Sequence, residues 1–230
     1  MKNPRTDRPS PLPSPRRGEC ARRMASDAPI HRPAWFLLLS LTWLASCTGQ
    51  PRTFAARQPA SAPVVVDAGH GFAITVPTGM HVRHDFQRNY LGSAAWKSFA
   101  GEDGHGEPVL ALVLDGSSTI TAAELRIGVG DDAVARAHCL DVPASGVPPR
   151  VSHVTLAGVA FTRFHAADAA MSHYLDVEAY RAIHDGRCYA IDLLVTGTRP
   201  EVYDPPATPP FQQEDARQHL RDALAGFRFL

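Results

Sequence analysis

The chain has 230 residues, in which 23 lysines and arginines balance 23 aspartates and glutamates. Apolar residues make up 44% of it and charged residues 20%, which excludes a wholly disordered protein. The zero net charge argues against a nucleic-acid-binding protein, which normally carries an excess of basic residues. No apolar run reaches the roughly 18 to 20 residues of a transmembrane helix, so a polytopic membrane protein is excluded as well.

The charge is unevenly distributed along the chain. Residues 1–46 hold eight basic and three acidic side chains, for a net charge of +5, and residues 47–230 carry −5. Within the first part, an apolar run extends from Ala34 to Ser46. A basic segment followed by an apolar run of this length is typical of an export signal and too short to span a bilayer. We predict a signal peptide over residues 1–46, with Met24 as an alternative start.

The end of the apolar run resembles the lipobox of bacterial lipoproteins. It reads Leu44-Ala45-Ser46-Cys47, a large apolar residue and two small residues before a cysteine. The resemblance implies that the signal is cut before Cys47 and that this residue receives the lipid. Thr48 follows where enteric lipoproteins of the inner membrane have aspartate, so the resemblance implies an outer-membrane protein facing the periplasm. The alternative is an ordinary secreted protein.

The segment after Cys47 differs in composition from the rest of the exported chain. Residues 47–62 are small and polar, and they bury too little apolar surface to fold, which predicts a flexible tether. About fifteen such residues reach roughly 20 Å. We predict one globular domain over residues 63–230.

The first half of this domain is predicted to form strands with one short helix. Phe72, Ile74 and Val76 alternate before a Pro-Thr-Gly turn, as in a half-buried strand. Further strands are predicted over Ser93–Ala100, over Val109–Leu114 and around the alternating residues Leu125, Ile127 and Val129. A short helix is expected to begin at Asp131-Asp132 and to end near His138, and residues 141–149 are expected to form a loop.

The second half is predicted to form two hairpins and a closing helix. Val151–Leu156 and Val159–His165 are expected to pair across Ala157-Gly158, and Ser172–His184 to pair with Arg187–Thr196 across Asp185-Gly186. The last helix is predicted to open at Thr208-Pro209. Its apolar face would contain Ala216, Leu220, Ala223, Leu224 and Phe227.

Two segments resemble Mog1/PsbP-like proteins. The first is Gly71-Phe-Ala-Ile-Thr-Val-Pro-Thr-Gly79, which is similar to the opening strand of that family. The second is the closing hairpin with Arg187-Cys-Tyr-Ala-Ile-Asp-Leu193, followed by a helix and Phe227-Arg-Phe229. The resemblance implies an α+β fold, an antiparallel sheet flanked by a few helices in an αβα sandwich. It also implies a binding or assembly role and supplies no catalytic residues.

Two cysteines lie within the predicted domain, Cys139 and Cys188. In an oxidising periplasm, an even pair favours a disulfide. Such a bond would join the end of the short helix to the second hairpin. Two separate buried thiols are the alternative.

A different segment is similar to a zinc enzyme. Val64-Val-Val-Asp-Ala-Gly-His-Gly71 resembles the first motif of zinc-dependent N-acetylmuramoyl-L-alanine amidases, in which the histidine binds zinc. Phe164-His-Ala-Ala-Asp168 is similar to the second histidine motif, with Asp168 in the place of asparagine. An amidase would require His70 and His165 to converge on one tetrahedral zinc ion together with a glutamate.

The sequence as a whole favours a lipid-anchored, periplasm-facing binding or assembly module without enzymatic activity. We predict no cofactor and no metal ion, and no nucleic-acid partner. The expected partners are the membrane, through the lipid on Cys47, and an unidentified envelope protein. The alternatives are the zinc amidase and a protective or inhibitory lipoprotein that blocks an enzyme.

Overall fold

The structure, a computed structural model, describes residues 61–88, 95–100, 105–143 and 150–230. The predicted signal peptide, Cys47 and most of the predicted tether lie outside these residues. The described residues form mostly antiparallel β-structure, with ten strands in two sheets and two α-helices.

The larger sheet has seven antiparallel strands in the order β3-β4-β5-β9-β8-β7-β6. Most neighbours in this sheet follow one another in the chain, and long hairpins build its second half. Asp185 and Gly186 both have positive φ angles, 47° and 74°, as a two-residue hairpin turn requires. The strands are β3 (Met80–Arg83), β4 (Glu107–Leu114), β5 (Thr121–Gly130), β6 (Val151–Leu156), β7 (Val159–Ala170), β8 (His173–His184) and β9 (Arg187–Thr198).

The smaller sheet has three antiparallel strands in the order β1-β2-β10, namely β1 (Val64–Asp67), β2 (Phe72–Thr75) and β10 (Phe227–Phe229). This sheet and helix α2 (Gln213–Leu224) pack on one face of the larger sheet, which we call the helix face. The main core lies between them. Its fully buried side chains include Phe72, Ile74, Leu125, Ile191 and Leu220.

The opposite face, the strap face, is covered in a different way. Helix α1 (Ala133–Ala137) lies against β9, and Asp132 caps it by accepting a hydrogen bond from the backbone N–H of Ala135 at 2.8 Å. The strap, residues 84–88 and 95–100 of the β3–β4 connection, crosses the same face. Phe86 packs on β4, and Trp96 packs beside the cysteine pair.

The backbone of the strap at Trp96 lies in close contact with the backbone of β5 at Gly128. A Cβ atom added to Gly128 in β5 would lie 1.9 Å from the carbonyl oxygen of Trp96. Only glycine leaves room for the strap at this position.

These observations correct three predictions. The αβα sandwich is wrong because a strap and a five-residue helix cover the second face, so the protein is richer in β-structure than expected. The strand predicted over Ser93–Ala100 is wrong for residues 95–100, which run across the sheet and pair with no strand. The last helix begins at Gln213 instead of at Thr208-Pro209, although Ala216, Leu220, Ala223 and Leu224 form its buried face as predicted.

The other predicted strands, both predicted hairpins and helix α1 are confirmed within a few residues. Within the described ranges, no helix is long and apolar enough to cross a membrane.

Candidate functional site

The segment that resembles the amidase motif forms the turn between β1 and β2. Asp67 is the last residue of β1, and its Oδ1 atom accepts a hydrogen bond from the backbone N–H of His70 at 2.9 Å. The Oδ2 atom lies 2.8 Å from Nδ1 of the same histidine. The spacing Asp-x-x-His therefore stabilises a turn, as aspartate side chains commonly do.

A second carboxylate reaches the histidine from the larger sheet. Oε1 of Glu107, at the start of β4, lies 2.7 Å from Nε2 of His70. The backbone of the turn is held as well, since Arg187 donates to the carbonyl of Gly69 at 2.7 Å and the Tyr189 hydroxyl donates to the carbonyl of His70 at 2.6 Å. These contacts tie the smaller sheet to β4 and β9.

The two carboxylates control the protonation of His70. Partial burial alone would lower its pKa, but hydrogen bonds and charge attraction from Asp67 and Glu107 outweigh burial and raise the pKa above its usual value. For Asp67, burial alone would raise the pKa, but the hydrogen bonds to His70 outweigh burial and lower the pKa. The site therefore favours an imidazolium that donates one hydrogen bond to each carboxylate.

This turn borders an open pocket of about 530 Å³, which we call the histidine pocket. Its wall includes Glu107, Arg187 and the two aspartates that precede α1, Asp131 and Asp132. Nowhere in the parts of the chain that the structure describes do three histidine, cysteine, aspartate or glutamate side chains form a group able to hold a metal ion.

A second polar site lies on the helix face, between α2 and strands β7 and β8. Two adjoining depressions of about 630 and 320 Å³ share Asp176 and Arg217, and together we call them the cleft. Asp176 and Glu178 occupy alternate positions of β8, so both point to the helix face. Arg217 and Arg221 are four residues apart on α2 and point back towards them.

The ionic groups of the cleft are paired with one another. Arg217 lies 3.0 Å from both Asp176 and Glu214, and Arg221 lies 3.1 Å from Glu178. Arg163 of β7 also approaches Glu178, at 3.4 Å. Shared partners make these pairs a network that fixes α2 on the sheet.

A buried tyrosine lies beside Glu178 of the cleft. The Tyr180 hydroxyl donates a hydrogen bond to Glu178 at 2.5 Å. Burial first, and then this bond to a carboxylate, raise the pKa of Tyr180 well above its usual value. At neutral pH the hydroxyl is therefore protonated and donates a hydrogen bond to Glu178.

The structure does not bring the two amidase-like histidines together. His165 lies on β7 in the cleft, where its Nε2 is 2.9 Å from Asp176, whereas His70 lies in the histidine pocket with other partners. Asp168 also lines the cleft, and its Oδ1 accepts a hydrogen bond from the backbone N–H of Ala169 at 2.7 Å. The zinc arrangement that the resemblance requires is not formed by His70 and His165.

The two cysteines of the domain are bonded to each other. Cys139 follows α1 and Cys188 lies at the start of β9, and the structure joins them in a disulfide with a Cα–Cα distance of 5.5 Å. Both residues are fully buried, beside Trp96, Ala135 and Ala190. Cys47, the predicted lipidation site, lies outside the described residues and stays a prediction.

Sequence reasoning missed a buried set of charges on the strap face. Arg181 is 1% exposed, and its Nη1 lies 2.6 Å from Oδ1 of Asp192. Asp192 also accepts a hydrogen bond from the backbone N–H of Ser98 at 2.6 Å, and Arg181 donates to the carbonyl of Ser98 at 3.2 Å. The hairpin turn at Asp185-Gly186 was a usable signal, because its register places Arg181 and Asp192 diagonally on one face.

A second buried pair lies beside the first. Glu124 and Arg126 occupy alternate positions of β5 and are 2% and 7% exposed. Their side chains bond at 2.8 Å, and Arg88 of the strap bonds to Glu124 at the same distance. The strap is therefore attached to the sheet through an ion pair at Arg88 and through backbone hydrogen bonds at Ser98.

No protein-family model matches this chain, and no curated protein matches it significantly. Among solved structures, the chain is similar to the solution structure of cyanobacterial PsbP (CyanoP) from Synechocystis sp. PCC 6803. The two share 10% sequence identity with a TM-score of 0.39, over 76% of this chain and 96% of CyanoP. At this similarity, membership of the Mog1/PsbP-like family stays a prediction.

Proposed function

We propose that this chain is an exported, lipid-anchored protein that acts as a non-catalytic binding or assembly module facing the periplasm. The sequence supports export and anchoring through the basic start, the apolar run and Leu44-Ala45-Ser46-Cys47. Several acyl chains on one cysteine would give a stable anchor, because each buried methylene contributes about 0.8 kcal/mol.

The observation in the structure that supports the proposal of export is the disulfide between Cys139 and Cys188. Disulfides form and persist in oxidising compartments such as the bacterial periplasm and are rare in the cytosol. This one is buried in a packed cluster instead of exposed, so it is part of the folded core. Its position supports a domain that completes folding after export.

The cleft supports the binding part of the proposal. Strands β7 and β8 and helix α2 hold its charged groups at fixed positions, open to solvent. Arg221 and Glu214, with side chains 41% and 73% exposed, can form additional ion pairs with a bound polypeptide. A surface of this kind contributes specificity and orientation to an assembly.

Fatty-acid labelling of the full-length chain in a bacterial host tests the anchor. We expect the wild-type protein to incorporate label, to lose its signal peptide and to leave the membrane only with detergent. Cys47→Ala should abolish labelling and prevent cleavage, since the thiol accepts the lipid. Cys20→Ala is the matched control, because Cys20 lies within the signal region and should behave like wild type. Labelling and cleavage that persist in Cys47→Ala would contradict the proposal.

A further inference from the structure

The two edges of the seven-stranded sheet differ in chemistry. Strand β6, at one end, has the sequence Val-Ser-His-Val-Thr-Leu, with no acidic residue, lysine, arginine, proline or glycine. Its first three residues are exposed, and Val151 is 49% exposed. An edge strand offers unpaired backbone N–H and C=O groups to any other strand, and proteins normally protect it with charges, proline or a bulge.

The opposite edge has such protection. Strand β3 contains His81, whose Nδ1 lies 2.8 Å from Asp115, and Arg83, which donates to Asp85 at 3.0 Å. Charged groups therefore stand along β3, and none stands on β6. Among the residues that the structure describes, charged side chains of the edge strands protect the sheet against strand addition at the β3 end only.

We propose that β6 pairs with β6 of a second copy of this chain, antiparallel about a two-fold axis. Such a pair would continue both seven-stranded sheets across the interface through backbone hydrogen bonds. A two-fold axis brings identical side chains near each other, so a charged edge would repel its own copy, and β6 has no permanent charge. With the axis at His153, this residue lies opposite its own copy, because residues directly opposite each other in an antiparallel pair point to the same face of the sheet.

The length of β6 limits the strength of this dimer. Six residues extend about 20 Å along the sheet edge. A stable interface buries about 1,200–2,000 Å² in total, more than one such edge supplies. The dimer is therefore weak and depends on concentration. The proposed lipid anchor would raise the local concentration of copies in the membrane, and only this step rests on the proposed function.

Site-directed cross-linking in membranes tests the pairing in the full-length protein. His153→Cys places a thiol at the proposed axis, and a short bis-maleimide should convert a substantial fraction of the chain to a dimer. His81→Cys is the matched control, a histidine on the protected edge β3, and should give no dimer. Cys139 and Cys188 are bonded and do not compete for the reagent. Equal yields from both variants, or a product that contains a different protein at His153→Cys, would overturn the proposal.

Variants of opposite charge at residue 153 distinguish a second copy of this chain from any other partner of β6. His153→Lys alone and His153→Glu alone should each lower dimer formation at least tenfold, measured by sedimentation of the purified full-length protein in detergent. An equimolar mixture should recover the dimer, since Lys and Glu then meet across the axis. Failure of the mixture to recover it, with both variants folded by circular dichroism, would overturn the pairing. The fatty-acid labelling of wild-type protein is a separate readout, so failure of the anchor is distinguishable from failure of the dimer.

Discussion

Removal of the disulfide should destabilise the domain by a predictable amount. Cys139 and Cys188 are 49 residues apart in the sequence, so their bond closes a loop of about fifty residues. In the chain-entropy description, a loop of this length restricts the unfolded chain by about 4 kcal/mol at 25 °C. The variant with both Cys139→Ala and Cys188→Ala loses this contribution.

The buried position of the bond adds a smaller packing term. Both cysteines are fully buried beside Trp96 and Ala190, so removal of two sulfur atoms leaves a small cavity worth about 1 kcal/mol. The total loss is then about 5 kcal/mol. A domain of this size loses about 2–4 °C in its unfolding midpoint per kcal/mol, which gives a decrease of about 10–20 °C.

Thermal unfolding of the oxidised protein, followed by circular dichroism with and without reductant, measures this loss. Reductant should lower the midpoint of wild type towards that of the double variant and leave the double variant unchanged. Equal midpoints for oxidised and reduced wild type would refute the chain-entropy argument. Maleimide labelling of Cys139 or Cys188 in freshly purified, unreduced protein would refute the disulfide itself.

Three further predictions concern other contacts. Asp192→Ala leaves Arg181 buried without its carboxylate and should lower the free energy of chemical unfolding by about 3–5 kcal/mol. Asp85→Ala, at an exposed ion pair, should leave the unfolding midpoint unchanged. Equal effects of the two substitutions would contradict a role for burial. The raised pKa of His70 stabilises the fold fully below the unfolded value near 6.5, and this contribution is lost as pH rises through the folded pKa. Glu107→Gln should lower the pKa of His70 in an NMR titration and shift that loss to lower pH, and an unchanged titration would contradict the contact. Gly128→Ala drives a Cβ into the Trp96 carbonyl and should cost about 1–3 kcal/mol, whereas Gly69→Ala, with its nearest contact at 3.4 Å, should cost little in the same assay.

The local parts of the fold were predictable because turns and alternation depend on neighbouring residues. Asp-Gly at 185–186 set the register of β8 and β9, and Ala157-Gly158 set that of β6 and β7. The start of α2 was not predictable in this way. Thr208-Pro209 has the pattern of a helix cap, but Phe211 packs against the core and the helix begins only after Gln212, which makes no side-chain cap. Tertiary packing decided between two possible starts.

The histidine sites needed long-range contacts that a sequence does not display. His70 and Asp67 are three residues apart, so their turn could have been inferred, but Glu107 joins them from another sheet. The same limit applies to the cleft, because Arg217 and Asp176 meet only when α2 folds back on β8. His70 and His165, the histidines of the two zinc-like motifs, therefore pair with carboxylates at separate sites.

Alternation of polar and apolar residues in a strand also fails to show whether the polar face is exposed to solvent or covered by other polar groups. Glu124, Arg126 and Asp192 alternate with apolar residues, a pattern typical of a sheet with one wet face, yet all three are buried. Arg126 pairs with Glu124 and Arg181 with Asp192 inside the sheet, but a layer of apolar helices would leave the remaining hydrogen-bonding capacity of these buried charges unsatisfied, which is costly. The strap supplies Arg88 and the backbone of Ser98 instead. The charges on this face thus explain why an irregular segment, and not a second helical layer, covers it.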